Sequence, residues 1–581
     1  VVGLITDPVH PVDANQLLIM TFTNAAAAKL RADITTRLAQ EVRAHPGDLH
    51  LRSQQLLLQR ASIGTVDAFC LHFVQQHFAM LDVPPDFETA DEADLARIEQ
   101  ETLAATLETA YQDPDFRAFA DLYDRGRTDN TAGDAILDLY HFTRALPHPA
   151  ASLAAFAAMW QQDAPPKDTL WGKELLGIAL ARAQGAKTLL ESGAAIAARE
   201  EAADRAYTAV MLDDAARVKN LCYYLKEGDW DKSLAALDAV LTGWRRAGSV
   251  KGGKDANQCA SAASQLRDRA KDQMTSLQKD VLLCTAEEFA ADRRRAAPLV
   301  AALVRATQAF ADSCFAAKCA EKVLDYADYE HLTLDLLLTE TNERTPLCAT
   351  VSARYAAVLV DEYQDTNALQ DAIYFALARP EADNLFFVGD IKQSIYRFRL
   401  ADPGIFVDKQ QRWQPHPQPA PLPSTLALDA NFRSAPGVIA GINYLFETFF
   451  SRGLGGVDYG DGQRLVVGGD KDAAYQGMCE IDVIDGADVD GDAAVIARRI
   501  AEMVGQGFPV RGKDGPRPCR YDDFCILLRG RKGFAAYEGA LRTAGIPVFA
   551  DSATDLLDEA CSDVNLRSKE ISQLAELKKE R

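Results

Sequence analysis

Hydrophobic residues follow two different patterns along this chain. Short uncharged runs at residues 17–20, 61–66, 356–360 and 385–388 are typical of strands that are buried on both faces of a parallel sheet. Helical spacing instead dominates residues 90–340, where little strand signal is present. The pattern therefore predicts an α/β domain whose sequence is interrupted by a large all-helical insertion.

Two carboxylates directly follow one of these runs. Asp361 and Glu362 come after the run that ends at Val360, and ligands of open parallel sheets collect at the carboxyl ends of their strands. There Asp361 can hold a hydrated Mg²⁺, and Glu362 can orient or deprotonate a water that attacks a γ-phosphate. The alternative interpretation is a strand that ends in a solvated acidic turn.

Polar residues also follow the first two runs, each time before a predicted helix. Thr21, Thr23 and Asn24 precede one helix, and Thr65 and Asp67 precede another. Hydroxyl and backbone N–H groups at a helix N-terminus can bind a phosphate, including that of a DNA strand. An ordinary capped helix requires the same residue types, so that alternative stays open.

Basic and aromatic residues alternate closely within residues 388–399. Tyr396 and Phe398 can stack on bases of any sequence, while Arg397 holds the backbone. Gln393 is a neutral donor and acceptor that can sense a γ-phosphate. An amphipathic loop with a core tyrosine is the alternative here.

A later turn at residues 428–434 carries Arg433. An arginine after a turn, across a cleft from a Walker-B-type carboxylate, can act as an arginine finger. The alternative for a single arginine is an ordinary exposed side chain.

Composition limits the class of protein without selecting a function. The 581 residues are too many for one core, and 48% hydrophobic with 25% charged residues is ordinary for a soluble protein. No apolar run reaches the length of a membrane-spanning helix, and residues 1–5 lack a signal-peptide pattern. Eleven scattered cysteines without zinc-ligand spacing indicate reduced thiols in the cytoplasm. A net charge of −22 argues against a passive nucleic-acid coat, although local patches decide binding.

Taken together, six segments resemble those of a known enzyme family. In chain order they are TFTNAAAAKLR at 21–31, ASIGTVDAFC at 61–70, LDYADYEH at 324–331, VLVDEYQDTNALQ at 358–370, VGDIKQSIYRFR at 388–399 and LDANFRS at 428–434. The chain resembles the superfamily 1 DNA helicases of the UvrD/Rep type, and within them the AddA helicase–nuclease proteins, which are relatives of RecB. The resemblance implies a RecA-like P-loop NTPase motor domain with a large helical insertion and part of a second RecA-like domain.

The resemblance predicts how the chain divides into domains. Motor domain 1A would occupy residues 1–90 and 331–412, the helical insertion 1B residues 91–330, and a partial motor domain 2A residues 413–581. Within 2A, further strands are expected at residues 426–428 and 524–528. The charged tail from Asp551 to Arg581 does not resemble the family.

The resemblance also implies a role for each candidate residue. Asp361 would bind Mg²⁺, Glu362 would be the catalytic base for ATP hydrolysis, and Gln393 would couple nucleotide state to DNA. Arg433 would contact the γ-phosphate. The single-strand DNA track would include Thr21, Thr23, Asn24, Thr65, Asp67, Tyr396, Arg397 and Phe398. Asp67 replaces a histidine that is frequent in this motif, which weakens its assignment.

The implied protein is an ATP-dependent 3′-to-5′ DNA helicase that uses Mg²⁺ and acts in double-strand-break repair and recombination. Its partners would be single-stranded and duplex DNA and an AddB-type subunit, with no membrane, and its location would be cytoplasmic. Two alternatives stay open. One is a UvrD/Rep-type repair helicase without a nuclease, and the other is a non-hydrolysing DNA-binding scaffold subunit.

One motif of the family is missing from this sequence. A nucleotide-binding P-loop should precede Thr21, yet no GxGKT-like segment occurs, and the segment Gly252–Asp255 lacks the Ser/Thr and the flanking strand. Helicase motifs V and VI and a nuclease domain are also missing, and the first residue is Val1. We therefore expect a fragment of a longer protein, and we expect these 581 residues alone not to hydrolyse ATP at a useful rate.

Overall fold

The chain divides into two compact units, Val1–Gln411 and Arg412–Arg581. The computed structural model describes residues 1–124, 131–250, 253, 257–416, 423–451, 457–460, 462–469, 477–484, 488–512 and 515–549. The atypical tail that the sequence analysis identified from Asp551 onward lies outside the described residues.

A parallel four-stranded sheet forms the centre of unit 1. Its strands are β1 (Leu17–Thr21), β2 (Ser62–Thr65), β3 (Ala357–Val360) and β4 (Leu385–Phe387). Their order in the sheet is β2-β1-β3-β4, and every neighbouring pair is parallel. Thr21 lies opposite Thr65, and Met20 lies opposite Val360, so the segments that follow these strands emerge at one edge of the sheet.

Both faces of β1 are buried, as its uncharged run predicts, whereas Phe386 in the outer strand β4 is 56% exposed, so the prediction of a strand buried on both faces is wrong there. Leu18 and Met20 pack into the hydrophobic cluster on one face, and Leu17 and Ile19 pack into the cluster on the other. The longer helices of this first part are α1 (Asn24–Ala44), α2 (Leu49–Leu57) and α3 (Val66–His77). This arrangement confirms the predicted α/β fold class.

The insertion consists of two helical bundles. The first packs around Phe116 and Phe310, and the second around Leu190 and Leu237. The first bundle contains α4 (Glu92–Ala110), α5 (Pro114–Tyr123), α6 (Ala132–Thr143), α7 (Pro149–Gln161) and α12 (Ala286–Glu321). The second contains α8 (Leu170–Ala197), α9 (Ala209–Glu227), α10 (Trp230–Thr242) and α11 (Gln258–Asp280). A short parallel pair, Glu88–Thr89 with Val323–Leu324, lies where the chain enters and leaves the bundles.

Helix α12 is, within the described part of the chain, the one helix whose length and apolar composition suit a membrane span. It packs in the core of the first bundle, where Phe310, Cys314 and Lys318 are fully buried. Those contacts are the ones expected of the central helix of a bundle.

Four helices complete unit 1 around the sheet. They are α13 (Tyr326–Leu337), α14 (Pro346–Arg354), α15 (Ala368–Leu377) and α16 (Pro403–Arg412), the last of which crosses into unit 2. Asp325 caps α13 and Asn367 caps α15, each with its side-chain oxygen on a backbone N–H of the first turn.

Unit 2 contains helices and short strand pairs. The α-helices among its described residues are α17 (Pro436–Phe449), α18 (Val489–Gly505) and α19 (Phe534–Thr543). The strand pairs are Gln414–Pro415 with Ser424–Thr425, Ala430–Asn431 with Val466–Val467, and Pro509–Gly512 with Gly515–Pro518.

Two strand predictions in unit 2 are wrong. Residues 426–428 lie between two short strands rather than in one, and residues 524–528 form no strand. Phe524 and Ile526 instead pack beside α18 and α19, against Ile500. The alternating apolar residues at this position pack against helices. Periodicity alone does not distinguish such a segment from a strand.

Candidate functional site

A cavity of about 270 Å³ opens at the sheet edge where β1, β2 and β3 end. Residues that follow the four strands and residues of α13 surround it. The lining residues are Thr21, Phe22, Val66, Asp67, Tyr326, Ala327, Glu330, Asp361, Glu362, Asp365, Thr366, Asn367, Gln370, Tyr374 and Arg399. The cavity therefore collects residues from five of the six segments that the sequence analysis singled out.

Asp361 and Glu362 begin the turn after β3. The backbone N–H of Asp361 donates to the carbonyl of Met20, which ties the turn to β1. Burial raises the pKa of Asp361, and the charge of Glu362 adds to that rise. Glu362 is exposed, and its backbone is left-handed at φ 54° and ψ 41°, a region that few residues other than glycine adopt.

The next residues of this turn are buried. The Nε2 group of Gln364 donates to the carboxylate of Glu362 at 2.7 Å and more weakly to Asp365 at 3.3 Å. Burial, followed by the charge of Glu362, raises the pKa of Asp365 to about 6. Within the described part of the chain, Oδ1 of Asp365 is buried without a hydrogen-bond partner. A buried acceptor without a partner is costly unless a ligand or water satisfies it.

The threonines of the first two blocks make local hydrogen bonds. Thr23 Oγ1 accepts the Ala26 N–H at 3.1 Å, and Thr65 Oγ1 accepts the Ala68 N–H at 3.2 Å, so both residues are helix N-caps. Thr21 is buried, and its hydroxyl donates to the carbonyl of Thr23 at 3.0 Å. The structure thus supports the capped-helix alternative for these hydroxyls.

Asn24 and Thr23 are exposed at the start of α1, outside the cavity lining. The side chains of Thr21 and Asp67 do line the cavity. A contact of any of these residues with DNA stays a prediction.

A group of aromatic rings and one arginine lies beside the cavity. The rings of Phe22 and Tyr396 are 4.5 Å apart between centroids, and those of Tyr396 and Phe398 are 5.8 Å apart. The guanidinium of Arg399 lies 5.5 to 6.0 Å from all three centroids, which is cation–π distance. Phe398 is 76% exposed and Arg397 is also exposed, so a surface for stacking is available.

Sequence reasoning missed Phe22 and Arg399. Both lie inside segments that were singled out, Phe22 between two threonines and Arg399 at the end of the basic–aromatic run. The alternation of charge and ring continues through Arg399, and that signal was sufficient to include it. Phe22 carries no local signal, because only the sheet topology places it against Tyr396.

Asp67 is hydrogen-bonded to another carboxyl group. Its partner is Glu330 of α13, which is almost fully buried and also accepts the Gln370 Nε2 group at 2.8 Å. Burial, followed by the charge of Asp67, raises the pKa of Glu330 to about 8, and burial also raises the pKa of Asp67. One of the two carboxyl groups therefore carries a proton at neutral pH.

Gln393 and Arg433 lie outside this cavity lining. The Nε2 group of Gln393 donates to Asp390 Oδ2 at 3.0 Å. Arg433 is an exposed residue of unit 2, and its backbone N–H donates to Asn431 Oδ1 at 2.9 Å. The assigned roles of both residues stay predictions.

The family follows from comparison with known sequences. Residues 4–414 match the family described as the UvrD/REP helicase N-terminal domain. The chain belongs to the UvrD/REP helicase family. The matched residues include the cavity, the aromatic group and the helical insertion.

Individual relatives carry a longer sequence than this chain. One relative, from Bacillus cereus (strain AH187), is named as the A subunit of an ATP-dependent helicase/nuclease. It is 32% identical over 584 residues, which cover 96% of this chain and 46% of that protein. The protein of the same name from Bacillus anthracis matches to the same extent. The chain spans about half the length of the curated relatives it matches.

The donor set of the cavity fits a hydrated Mg²⁺ held beside a phosphate. Mg²⁺ is usually bound through one or two carboxylates, with phosphate oxygens and waters completing its octahedron. Asp361 offers a half-buried carboxylate at the cavity, and Glu362 and Asp365 lie next to it. The described residues contain no group of three or more His, Cys, Asp or Glu side chains that could cage a metal on its own.

Proposed function

We propose that this chain is part of an ATP-dependent DNA helicase of the AddA helicase/nuclease type. The observation that carries the proposal is the pair Asp361 and Glu362, which lies in the cavity at the carboxyl end of β3. The residues around this cavity lie within the segment 4–414 that matches the family. The names of the relatives, which describe an ATP-dependent helicase and nuclease, support the same activity. We propose ATP as the nucleotide and Mg²⁺ as its metal.

Each candidate residue then has a chemical task. Asp361 would hold Mg²⁺, which when bound neutralises charge on the phosphates. Glu362 would orient the attacking water and take its proton. Gln393 and Arg433 would respond to the γ-phosphate.

DNA would bind beside this cavity. Phe22, Tyr396 and Phe398 offer ring faces on which unpaired bases can stack, while Arg397 and Arg399 hold phosphates. Stacking tolerates any base, as a translocating enzyme requires. We propose single-stranded DNA as the ligand of this surface and duplex DNA as the substrate that is opened.

The wider biology is proposed from the same resemblance. A 3′-to-5′ direction, a role in double-strand-break repair and recombination, a cytoplasmic location and an AddB-type partner all follow from the helicase/nuclease assignment. We also propose residues 1–90 and 331–412 as domain 1A, residues 91–330 as 1B and residues 413–581 as part of 2A. The boundary between units at residues 411 and 412 supports the last division.

Two alternatives have different supporting observations. A UvrD/Rep-type helicase without nuclease would share the same cavity, and the sequence that follows residue 581 in the gene separates the two. A non-hydrolysing DNA-binding protein would need the aromatic group but not Glu362. The experiment below separates that alternative from an ATPase.

The test is the substitution Glu362→Gln in the full-length gene product. We expect the DNA-stimulated kcat for ATP hydrolysis to fall by on the order of 10²- to 10⁴-fold, because a general base is removed without changing side-chain volume. Binding of fluorescent single-stranded DNA should change by less than about twofold, since the aromatic group is formed by other residues.

The matched control is Glu381→Gln, at an exposed glutamate on the loop before β4. It should leave kcat unchanged. A protein with no ATPase activity before substitution, or a Glu362→Gln variant that keeps its kcat, would contradict the proposal.

A further inference from the structure

Gln364 connects two segments of the site with opposite ends of one side chain. Its Nε2 group donates to Glu362 Oε2 at 2.7 Å, and its Oε1 atom accepts the backbone N–H of Asp390 at 2.9 Å. The residue is only 1% exposed. A buried amide with both ends satisfied has one favourable orientation, so its geometry is fixed.

The carboxylate of Glu362 depends on this amide. Within the described part of the chain, Gln364 is the only group that donates a hydrogen bond to the side chain of Glu362. Glu362 itself is exposed and has a left-handed backbone, so packing does not hold its side chain. The direction in which the proposed base points is therefore set by Gln364.

The Oε1 atom at the other end of the Gln364 side chain is hydrogen-bonded to Asp390, which lies in the segment 388–394. That segment lies against the turn through two more hydrogen bonds, from the Tyr363 N–H to the Val388 carbonyl at 2.9 Å and from Ser394 Oγ to the Gln364 carbonyl at 3.2 Å. Two residues beyond Ser394 the chain reaches Tyr396, the middle ring of the aromatic group. One continuous segment thus joins the amide to the proposed DNA surface.

Gly389 shows how closely the two segments approach. A Cβ atom at this position would lie 2.5 Å from Gln364 Oε1 and 3.0 Å from the ring of Phe406. A side chain there would push the amide away from Asp390. The close approach therefore requires glycine, even though the position has an ordinary backbone conformation.

We propose that Gln364 is a positioning residue that couples the base Glu362 to the basic–aromatic segment. When nucleic acid displaces residues 388–399, the Asp390 N–H moves, the amide follows it, and the carboxylate of Glu362 is re-aimed toward or away from the attacking water. The inference rests on the proposed function, because it explains how DNA would stimulate hydrolysis.

The first test uses two substitutions of Gln364 in the full-length gene product to distinguish the effects of its two hydrogen-bonding ends. Gln364→Ala removes the hydrogen bonds to Glu362 and to Asp390, together with the weaker one to Asp365. We expect the DNA-stimulated kcat to fall on the order of 100-fold with KM within about twofold, as for a misplaced base. Gln364→Glu keeps an acceptor for the Asp390 N–H but faces Glu362 with a second carboxylate. Its defect should shrink as the pH falls from 8 to 6, because the protonated carboxyl group can again donate to Glu362.

The contact is tested again from its other side. Gly389→Ala should reproduce the kcat defect of Gln364→Ala, with little further loss when the two are combined. The matched control is Gly64→Ala in β2. A Cβ atom at Gly64 would meet only Ala68 at 3.8 Å, which is an ordinary contact. A merely structural role for Gln364 would lower stability without the change in pH profile or the loss of DNA stimulation.

A readout that does not need activity completes the test. In the 581-residue chain, Gln364→Ala should speed hydrogen exchange of the Asp390 amide at least about tenfold, and leave the Val388 amide, which donates to Val360, unchanged. Unchanged exchange at Asp390, or faster exchange with a normal DNA-stimulated kcat, would overturn the inference. If the unsubstituted full-length protein has no ATPase activity, the proposed function fails, and the coupling fails with it.

Discussion

The hydrogen-bonded carboxyl pair of Asp67 and Glu330 shows how one residue changes the chemistry of the cavity. Two ionised carboxylates in contact would repel each other, so the pair retains a proton, and the cavity carries one negative charge less than its composition suggests. Gln370 supports the arrangement by donating to Glu330. Asp67 therefore has a hydrogen-bond partner within the protein.

This pair makes stability depend on pH. Glu330 has a pKa of about 8 in the folded chain and an ordinary value near 4.5 when unfolded, so the folded state binds the additional proton. The contribution of Glu330 to the free energy of unfolding is present in full below pH 4.5 and is lost as the pH rises through 8. We expect Glu330→Gln to stabilise the chain by about 3 kcal/mol more at pH 8 than at pH 5, because glutamine accepts from Gln370 and donates to Asp67 without a charge.

The measurement is urea unfolding at both pH values, followed by circular dichroism. Glu343→Gln, at an exposed glutamate, is the control and should show no such difference. An equal effect of Glu330→Gln at the two pH values would mean that Glu330 is ionised throughout this range.

At the scale of elements, a buried ion network fixes helix α13, which carries Glu330. Lys318 of α12 donates to Asp325 at 2.8 Å and to Asp328 at 2.7 Å, and Arg144 donates to Asp328 at 2.8 Å. Although burial opposes it, the charges of Arg144 and Lys318 lower the pKa of Asp325 to about 2. The network thus joins the helical insertion to the helix that lines the cavity.

Removing one member should be costly, because it leaves buried charge without compensation. We expect Lys318→Met to destabilise unit 1 by about 3–5 kcal/mol in urea unfolding. Lys322→Met is the matched control at the end of the same helix, since Lys322 forms an exposed pair with Asp86. That change should cost less than about 1 kcal/mol. Similar losses for the two variants would show that the buried network does not hold α13.

For the whole molecule, the net charge of −22 opposes a polyanion, so the proposed DNA binding would have to rely on local features. In the proposed complex the aromatic group would supply stacking, which does not depend on salt, and Arg397 and Arg399 would supply charge. The shares of stacking and of charge in the binding free energy can be measured separately, because each phosphate contact adds a fixed amount to the salt dependence of binding.

We expect Arg397→Ala to reduce the slope of log affinity against log salt by about 0.7 for single-stranded DNA. Phe398→Ala should instead lower affinity by about 1–3 kcal/mol without changing the slope. Fluorescence anisotropy over a salt series measures both, with the exposed Arg52→Ala as control. A Phe398 variant that alters only the slope would argue against stacking.

Local chemistry allowed several features to be predicted from the sequence. The uncharged runs predicted the parallel strands, and the acidic pair after Val360 was predicted at the carboxyl end of its strand, where the structure places it. Helix caps such as Thr23 and Thr65 involve only neighbouring residues, so they too can be recognised locally. The prediction of a strand at residues 524–528 was wrong because apolar alternation does not show whether a partner strand exists.

The sequence by itself determined the elements, the family motifs and the acidic pair, because each depends on residues that are close in the chain. Only the tertiary structure decided which distant residues meet. The contacts of Phe22 with Tyr396 and of Gln364 with Asp390 depend on the order β2-β1-β3-β4, which no local pattern encodes. The hydrogen bond between Asp67 and Glu330 depends on the packing of α3 against α13. The physical reason is that sheet topology brings the ends of separate strands together, whereas periodicity describes only one segment at a time.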